Sequence, residues 1–232
     1  MYPRYGRLTL WERLDLDELP IELGFPVNKI RTRYEVTYNS LGLFGAELFL
    51  YIDIKHRILQ ILNQADEEAE YPIFLPMTVG NDMPPLDPKF APELEALDYI
   101  LSEYQCYFED ENDPEVVPVR VQLEWCSPKV RDLADLLFKY YTNDFQGIVF
   151  VEQRHVAACL ARILPRIPQL EPYIRSSQLI GHGASNMAKS QVRGMALKTQ
   201  QDVVRMFRDR EVNLRTCYVF SSATPGLTGT AA

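Results

Sequence analysis

The sequence contains little that would point to a secreted or metal-binding protein. Its four cysteines, Cys106, Cys126, Cys159 and Cys217, lie far apart, with no Cys-x-x-Cys pair and no histidine at ligand spacing. This pattern encodes neither a disulfide framework nor a zinc site, so we expect four free thiols. The N-terminus lacks the continuous apolar segment of a secretory signal. We therefore expect a reducing compartment, the cytoplasm, with the nucleus as the alternative.

Long apolar runs are absent as well. The longest, residues 41–54, spans about fourteen residues and contains Glu47 and Asp53, so it is too short and too charged to cross a bilayer. We expect no membrane partner. The apolar fraction of 47% and the charged fraction of 24% are typical of a globular protein, and 232 residues suffice for one large domain or two small ones.

Charge is distributed unevenly along the chain. Residues 1–120 carry 10 basic and 23 acidic side chains, whereas residues 121–232 carry 14 basic and 9 acidic ones. The first half therefore repels phosphate groups and the second half attracts them, which favours nucleic-acid contact after residue 120. The alternative is that the two halves expose solvated faces of opposite sign and nothing more.

The beginning of the chain is predicted to be helical. Residues 8–20 and 40–64 place apolar side chains at three- and four-residue spacing over several turns. In the second of these helices, one stripe is expected to be buried: Leu43, Leu50, Ile54, Ile58 and Leu62. This region, residues 1–65, is interpreted as a helical domain.

An acidic connection is predicted over residues 66–126. It begins with a proline-rich stretch that is unsuited to regular structure. A helix is expected over residues 92–105. The β-branched, alternating pattern of VPVRVQLEWC, residues 117–126, predicts a strand.

Helices and strands alternate from Ser127 onward. Ser127 and Pro128 are typical of an N-cap and a first helical residue. The apolar run GIVFV, residues 147–151, is typical of a strand buried on both faces of a parallel sheet. Two more helices follow, and we expect further strands near Leu179 and Tyr218. This alternation predicts an α/β fold.

Five sequence elements occur in a set order over residues 127–214. They are SPKV at 127–130, a strand ending in Phe-Val with Arg154 downstream, Gly-His-Gly at 181–183, a glutamine-containing helix from Lys198, and Asn213-Leu214. The series resembles the second RecA-type lobe of the helicase module in Dicer and its viral-RNA-sensor relatives, and within them the fungal-type Dicer-like ribonucleases. The preceding helices resemble the helical insertion domain of that lobe. The resemblance implies an α/β fold: a partial RecA-like parallel sheet, preceded by an α-helical insertion domain.

The resemblance implies double-stranded RNA as the partner, in RNA-mediated gene silencing and antiviral defence, contacted through its backbone. The expected contact residues are Arg154, Gly181, His182, Gly183, Lys198, Gln201 and Arg205. Ligands of parallel sheets bind beyond the carboxyl ends of the strands, and glycines let the backbone approach a phosphate closely. Three alternatives stay open: Arg154 pairs with Glu152 or caps a helix, the glycines only form a turn, and the basic residues form a solvated helix face.

Motifs for catalysis are missing from the sequence. No glycine is followed by lysine, so the GxxxxGK[ST] phosphate loop is absent. The acidic residues 110–113 resemble a metal-binding DExD motif but follow no buried strand, and the ribonuclease III carboxylates are lacking. We expect no ATP hydrolysis, unwinding or cleavage by this chain, no catalytic residue, no metal and no cofactor of its own. ATP and Mg²⁺ are expected only in an intact parent helicase.

The sequence departs from the family after Leu214. Residues 215–232 replace the alanine-threonine-serine strand and the glutamate-glutamate-glycine turn of the relatives. We expect a truncated or mis-spliced gene product with a divergent tail, and marginal stability or aggregation, because three or four strands leave an apolar sheet edge open. Expected partners besides RNA are the first helicase lobe and other silencing proteins. The competing hypotheses are a non-enzymatic RNA-binding protein and a protein-interaction module that works through the acidic helical half.

Overall fold

The computed structural model describes residues 9–14, 27–63, 91–108, 121, 123–179 and 197–218. The helices in these ranges are α1 (Leu10–Leu14), α2 (Val27–Leu41), α3 (Leu43–Asn63), α4 (Ala91–Phe108), α5 (Pro128–Tyr140), α6 (Arg154–Ile163) and α7 (Leu197–Arg208). The strands are β1 (Gly147–Val151), β2 (Ser176–Leu179) and β3 (Leu214–Tyr218). Among these helices none is long and apolar enough to span a membrane.

The helical half is built around α3, as its apolar pattern predicts. Leu50, Ile54 and Ile58 are buried, which confirms this part of the predicted stripe, whereas Leu43 is only half-buried. The side chain of Leu62 lies outside the described residues. Helix α4 packs against it through Phe108, whose ring centroid lies 5.6 Å from that of Phe44 and 5.1 Å from that of Tyr51. Aromatic pairs at this separation stabilise a core beyond the area that they bury.

Helix α2 is not predicted by the sequence pattern. Only Ile30, Thr37 and Leu41 are buried along its 15 residues, so it lacks a broad apolar stripe. The Thr37 hydroxyl is satisfied locally, since it donates to the Arg33 carbonyl at 2.7 Å. Helix α2 is therefore held by tertiary contacts with α3 that sequence periodicity does not reveal.

The strand predicted over residues 117–126 is wrong in its described part. Leu123–Trp125 forms a 3₁₀ turn, and Cys126 makes only an isolated antiparallel bridge with Gly42. The reason is a tertiary contact: the Ser127 N–H donates to the Leu41 carbonyl at 2.9 Å and its hydroxyl donates to the Ser40 carbonyl at 2.6 Å. The chain must turn there to meet the end of α2.

The predicted start of α5 is confirmed in detail. Ser127 is the N-cap, its hydroxyl accepts from the Val130 N–H at 3.3 Å, and Pro128 occupies the first turn. Val130, Ala134 and Leu137 are buried at the spacing of one helix face. The serine therefore satisfies one of the helix's unpaired donors and also fixes the helix to α2.

The three described strands form a parallel sheet in the order β1-β3-β2. The predicted fold class is thereby confirmed: the chain is an α/β protein with a small parallel sheet preceded by helices. In the register of the sheet, Leu214 lies opposite Gly147 on one side and Ser176 on the other. Because β3 is central, it is the most buried strand.

Helices cover the two faces of the sheet separately. The Thr216 hydroxyl donates to the Ala157 carbonyl of α6 at 2.9 Å, whereas its neighbour Arg215 donates to the Val203 carbonyl of α7 at 3.1 Å. Adjacent strand residues point to opposite faces, so α6 and α7 lie on opposite sides. Helix α6 also contacts the helical half, where the rings of His155 and Phe49 lie 5.2 Å apart. Both halves share one apolar core that extends from Leu10 to Leu214.

Strand β1 is not buried on both faces, contrary to the prediction from its apolar run. Ile148 is 49% exposed and Phe150 is 65% exposed. Helix α7 packs on the neighbouring part of the sheet, with Val203 against Leu179 of β2, and leaves this face of β1 uncovered. A continuous apolar run predicts an interior strand, but here the run occupies the edge.

Candidate nucleic-acid interface

Because the three strands are parallel, their carboxyl ends, Val151, Leu179 and Tyr218, lie at one edge of the sheet. Arg154 begins α6 just beyond the end of β1, at this edge. Its guanidinium lies over the ring of Tyr218, 5.2 Å from the ring centroid. A guanidinium stacked on an aromatic ring keeps its charge while its plane is held in place. Sequence reasoning did not identify Tyr218 as this partner.

Arg154 does not cap α6, contrary to one of the alternatives left open by the sequence. Gln153 holds the N-cap position of α6, and its side chain makes no capping hydrogen bond. Glu152 is exposed next to it. Arg154 is therefore the first residue inside the helix, with its side chain directed to the end of β3.

Gly181, His182 and Gly183 lie outside the described residues. The described residues stop at Leu179, the last residue of β2, and begin again at Leu197, the first residue of α7. The predicted contact of this turn with a phosphate therefore stays a prediction.

Lys198, Gln201 and Arg205 are all exposed on α7. Spacings of three and four residues place them on one helix face. Since α7 connects two parallel strands, it runs back across the sheet and its first residues lie at the carboxyl edge. Lys198 is thus at the same edge as Arg154, although on the other face of the sheet. Arg205 lies roughly 10 Å further along the helix axis.

Part of the positive charge of residues 121–232 is neutralised by nearby carboxylates. Arg205 lies 3.8 Å from Asp209 and 3.9 Å from Glu211, and Arg210 pairs with Asp144. These pairs are exposed, so each stabilises the fold little, but they lower the positive potential at the amino edge of the sheet. The positive charge at Arg205 and Arg210 is therefore smaller than the sequence count alone suggests.

Arg215 belongs to the interior and not to a solvated face. It is 8% exposed, its guanidinium lies 4.4 Å from the Phe207 ring centroid, and it donates to the Val203 carbonyl. Burial lowers the pKa of Arg215, yet an arginine stays charged at neutral pH. Its role is to attach α7 to the sheet.

The Asn213-Leu214 element has a structural explanation. The Asn213 side chain is buried; its oxygen accepts from the Arg175 N–H at 2.9 Å and its nitrogen donates to the Tyr173 carbonyl at 2.7 Å. Arg175 in turn donates to the carbonyls of Glu211 at 2.9 Å and Arg210 at 3.0 Å. These bonds tie the segment before β2 to the segment before β3. The Asn213 side chain therefore reinforces the backbone bonds that join the two segments at the start of the strands.

The described cysteines have raised pKa values, and the described residues form no metal centre. Burial raises the pKa of Cys159 to about 12 and that of Cys126 to about 11, so both thiols are protonated at neutral pH. Cys126, Cys159 and Cys217 are buried and form no disulfide within the described part of the chain. Among the described residues, no three histidine, cysteine, aspartate or glutamate side chains are grouped to hold a metal ion. The residues that are described thus do not fit a Mg²⁺ site.

His155 is buried between α6 and the helical half, and its Nε2 has no hydrogen-bond partner among the described residues. Burial, with a smaller contribution from the charge of Arg33, lowers the pKa of His155 to about 4. The imidazole is therefore neutral at pH 7. His155 thus belongs to the core between α6 and α3, where its ring packs against Phe49.

We predict an acid-dependent loss of stability that is specific to His155. The unfolded chain binds the proton with an ordinary pKa of about 6.5, so the stabilisation is full above that pH and is lost as the pH falls toward 4. The free energy of unfolding should decrease by about 2 kcal/mol more in the wild type than in His155→Leu between pH 7.5 and about pH 5. Urea titrations at both pH values measure this difference, and parallel decreases in the two proteins would contradict it.

Part of this chain is similar in sequence to Dicer endoribonucleases. No family model matches the chain. The chain is 37% identical over 105 residues to Endoribonuclease Dicer homolog 1 of Arabidopsis thaliana. It is 34% identical over 105 residues to Endoribonuclease Dicer homolog 1 of Oryza sativa subsp. japonica. Each match covers 45% of this chain and 5% of the relative. It is 35% identical over 78 residues to Endoribonuclease Dicer-S of Xenopus laevis, 32% of this chain and 4% of that protein. The matched chain thus spans only about one twentieth of these relatives.

Proposed function

We propose that the chain is part of a Dicer-like protein and binds the backbone of double-stranded RNA in gene silencing. The sequence similarity to Dicers carries this proposal. It covers 45% of this chain in a plant relative and 32% in a vertebrate relative. We assign residues 1–65 to a helical insertion domain, 66–126 to an acidic connection, 127–214 to a partial C-terminal RecA-type lobe and 215–232 to a divergent tail. Within the family, we assign the chain to the fungal-type branch.

The carboxyl edge of the sheet is the proposed RNA-contact surface. Arg154, held over Tyr218, and Lys198, at the start of α7, supply positive charge there. Gly181, His182 and Gly183 follow β2 in the sequence and are proposed to complete the surface, with Gln201 and Arg205 extending it along α7. Arginine and lysine contacts to phosphates read shape and charge and not sequence, which suits recognition of an RNA duplex.

The proposed role is binding and not catalysis. The sequence has no GxxxxGK[ST] loop, and among the described residues no three histidine, cysteine, aspartate or glutamate side chains are grouped to hold a metal ion. ATP and Mg²⁺ are therefore assigned to other parts of a parent helicase. The proposed partners, besides RNA, are its first lobe and other silencing proteins, and the proposed location is the cytoplasm, with the nucleus as the alternative.

Neutralising Arg154 is predicted to weaken RNA binding. Arg154→Gln should reduce the affinity for a short RNA duplex roughly fivefold to tenfold and lower the slope of log affinity against log salt by about one, because one phosphate contact is lost. Fluorescence anisotropy at several salt concentrations measures both quantities. Lys139→Gln removes the same charge from the last turn of α5, shortly before the amino end of β1, and should change affinity less than twofold. Equal losses in the two variants would contradict the placement of the contact.

A protein-interaction module is the second candidate. Tyr38 of α2 is 50% exposed and Tyr99 of α4 is 61% exposed, in the half of the chain that carries excess negative charge. Exposed aromatics are enriched where proteins bind one another. Binding through such a surface should vary little with salt, whereas phosphate contacts weaken steeply.

A further inference from the structure

Tyr218 has a fixed position at the carboxyl edge of the sheet. It is the last residue of β3, the central strand, and lies opposite Val151 of β1 in the register. Residues two apart on a strand point to the same face, so Tyr218 shares the α6 face with Thr216. Tyr218 is half-buried there. The position of its ring is therefore set by the central strand and not by a loop.

Arg154 is fixed to the same strand through α6. It is the first residue of that helix, and the Thr216 hydroxyl donates to the Ala157 carbonyl of the first turn at 2.9 Å. This hydrogen bond is buried, and it joins α6 to β3 two residues before Tyr218. Arg154 and Tyr218 therefore belong to a helix and a strand that are bonded to each other close to both residues.

The contact between the two side chains restricts the arginine. The Arg154 guanidinium lies 5.2 Å from the centroid of the Tyr218 ring, a distance at which the ring quadrupole attracts a cation. A long arginine side chain loses rotamer freedom when it binds a phosphate, and this loss opposes binding. A ring that already limits the rotamers lowers that cost. Arg154 also has a further interaction within the folded chain, so the ring is not its sole restraint.

We propose that Tyr218 is a positioning residue for the contact between Arg154 and RNA. Its ring holds the guanidinium at the carboxyl edge of the sheet before the RNA binds. This inference rests on the proposed function, because it assigns a role within the same contact surface. Tyr218 acts through Arg154 and does not itself contact the RNA.

Loss of affinity without loss of charge is the expected signature of this role. Tyr218→Leu removes the ring but leaves Arg154 charged. The affinity for a short RNA duplex should therefore fall roughly threefold, while the slope of log affinity against log salt stays unchanged. Tyr218→Phe keeps the ring and should bind like the wild type. Fluorescence anisotropy of the full chain at several salt concentrations measures both quantities.

A double-mutant cycle tests whether Tyr218 acts through Arg154. In the Arg154→Gln background, Tyr218→Leu should cause no further loss of affinity. The matched control is Tyr140→Leu, since the Lys139 ammonium lies 5.3 Å from the Tyr140 ring centroid at the end of α5. It removes a ring from a similar pair near the amino end of β1 and should leave the affinity unchanged. Equal losses from Tyr218→Leu in both backgrounds would make Tyr218 an RNA contact of its own and overturn the positioning role.

The order of the Arg154 side chain can be measured without any substitution. With isotopically labelled arginine, NMR relaxation of the Arg154 Nε–H group in the wild type should show restricted motion on the picosecond to nanosecond timescale. Arg131, an exposed residue of α5, is the reference and should be mobile. An Arg154 side chain as mobile as that of Arg131 would overturn the proposal.

The outcomes separate this role from the proposed function. If Arg154→Gln weakens RNA binding but Tyr218→Leu binds like the wild type, the role of Tyr218 is overturned and RNA binding stands. If the folded wild type binds no RNA, both are overturned, and an ordered Arg154 side chain would then have a structural role alone.

Discussion

Replacing Gly42 with alanine is expected to lower the free energy of unfolding by about 4 kcal/mol. Gly42 joins α2 to α3 with a φ of 88°, which side-chain-bearing residues rarely adopt. A Cβ there would lie 2.5 Å from the backbone nitrogen of Ser127 and 2.5 Å from the backbone oxygen of Trp125. Neither atom can move easily, since Cys126 bridges Gly42 and the Ser127 N–H is bonded to Leu41.

Two further variants separate conformational strain from the steric clash. Asparagine tolerates a positive φ better than alanine does, so Gly42→Asn removes part of the conformational strain but keeps the steric clash. Because the clash dominates, Gly42→Asn should be little more stable than Gly42→Ala. Ala96→Gly, on the exposed side of α4, should cost only about 1 kcal/mol. Urea unfolding followed by circular dichroism measures all three. A Gly42→Asn variant as stable as the wild type would contradict the close contact between the α2–α3 junction and residues 125–127.

Asn213→Ala is expected to destabilise the fold by about 3 kcal/mol. The substitution removes both hydrogen bonds of the buried amide and leaves the Arg175 N–H and the Tyr173 carbonyl without these partners. Each buried polar group left unpaired costs about 1–3 kcal/mol. The backbone bonds between the two segments remain, since the N–H groups of residues 213 and 214 still donate to the Arg175 carbonyl.

A surface amide is the matched control for Asn213. Gln169 donates to Asp135 at 3.4 Å on the protein surface, and Gln169→Ala should change stability by less than about 0.5 kcal/mol. Thermal and urea unfolding of the two variants provide the comparison. An Asn213→Ala protein that unfolds like the wild type would show that the two segments are held together by other contacts.

Local signals in the sequence predicted the elements that depend on local physics. The Ser127-Pro128 start of α5 is visible because capping needs only a hydroxyl and the next turn of backbone. The stripe on α3 is visible because its spacing alone defines a buried face. The alternation of helices and strands after Ser127 likewise predicted the parallel sheet.

The failures concern features that distant residues decide. Helix α2 has few apolar residues, and its stability comes from α3. The apolar run of β1 predicted an interior strand, but whether Ile148 and Phe150 are covered depends on where α7 packs. Residues 123–125 turn because Ser127 must reach the end of α2. In each case the determining partner is far away in sequence, where periodicity carries no information.

The candidate site was predictable to a similar extent. Arg154 could be placed at the carboxyl edge because it follows a strand directly. Its contact with Tyr218 could not, since the two residues meet only through the strand order. Arg215 appeared to be one of a basic series, yet its burial under Phe207 takes it out of any RNA-contact surface.

The measurement that tests the proposed function most directly is binding of the purified chain to a short blunt RNA duplex and to its DNA counterpart, each at a low and a high salt concentration. RNA binding in gene silencing predicts tighter binding to the RNA duplex and an affinity that falls steeply as salt increases, in proportion to the phosphate contacts made. A folded sample that binds neither duplex, or that binds without salt dependence, would contradict it and favour a role in protein interaction.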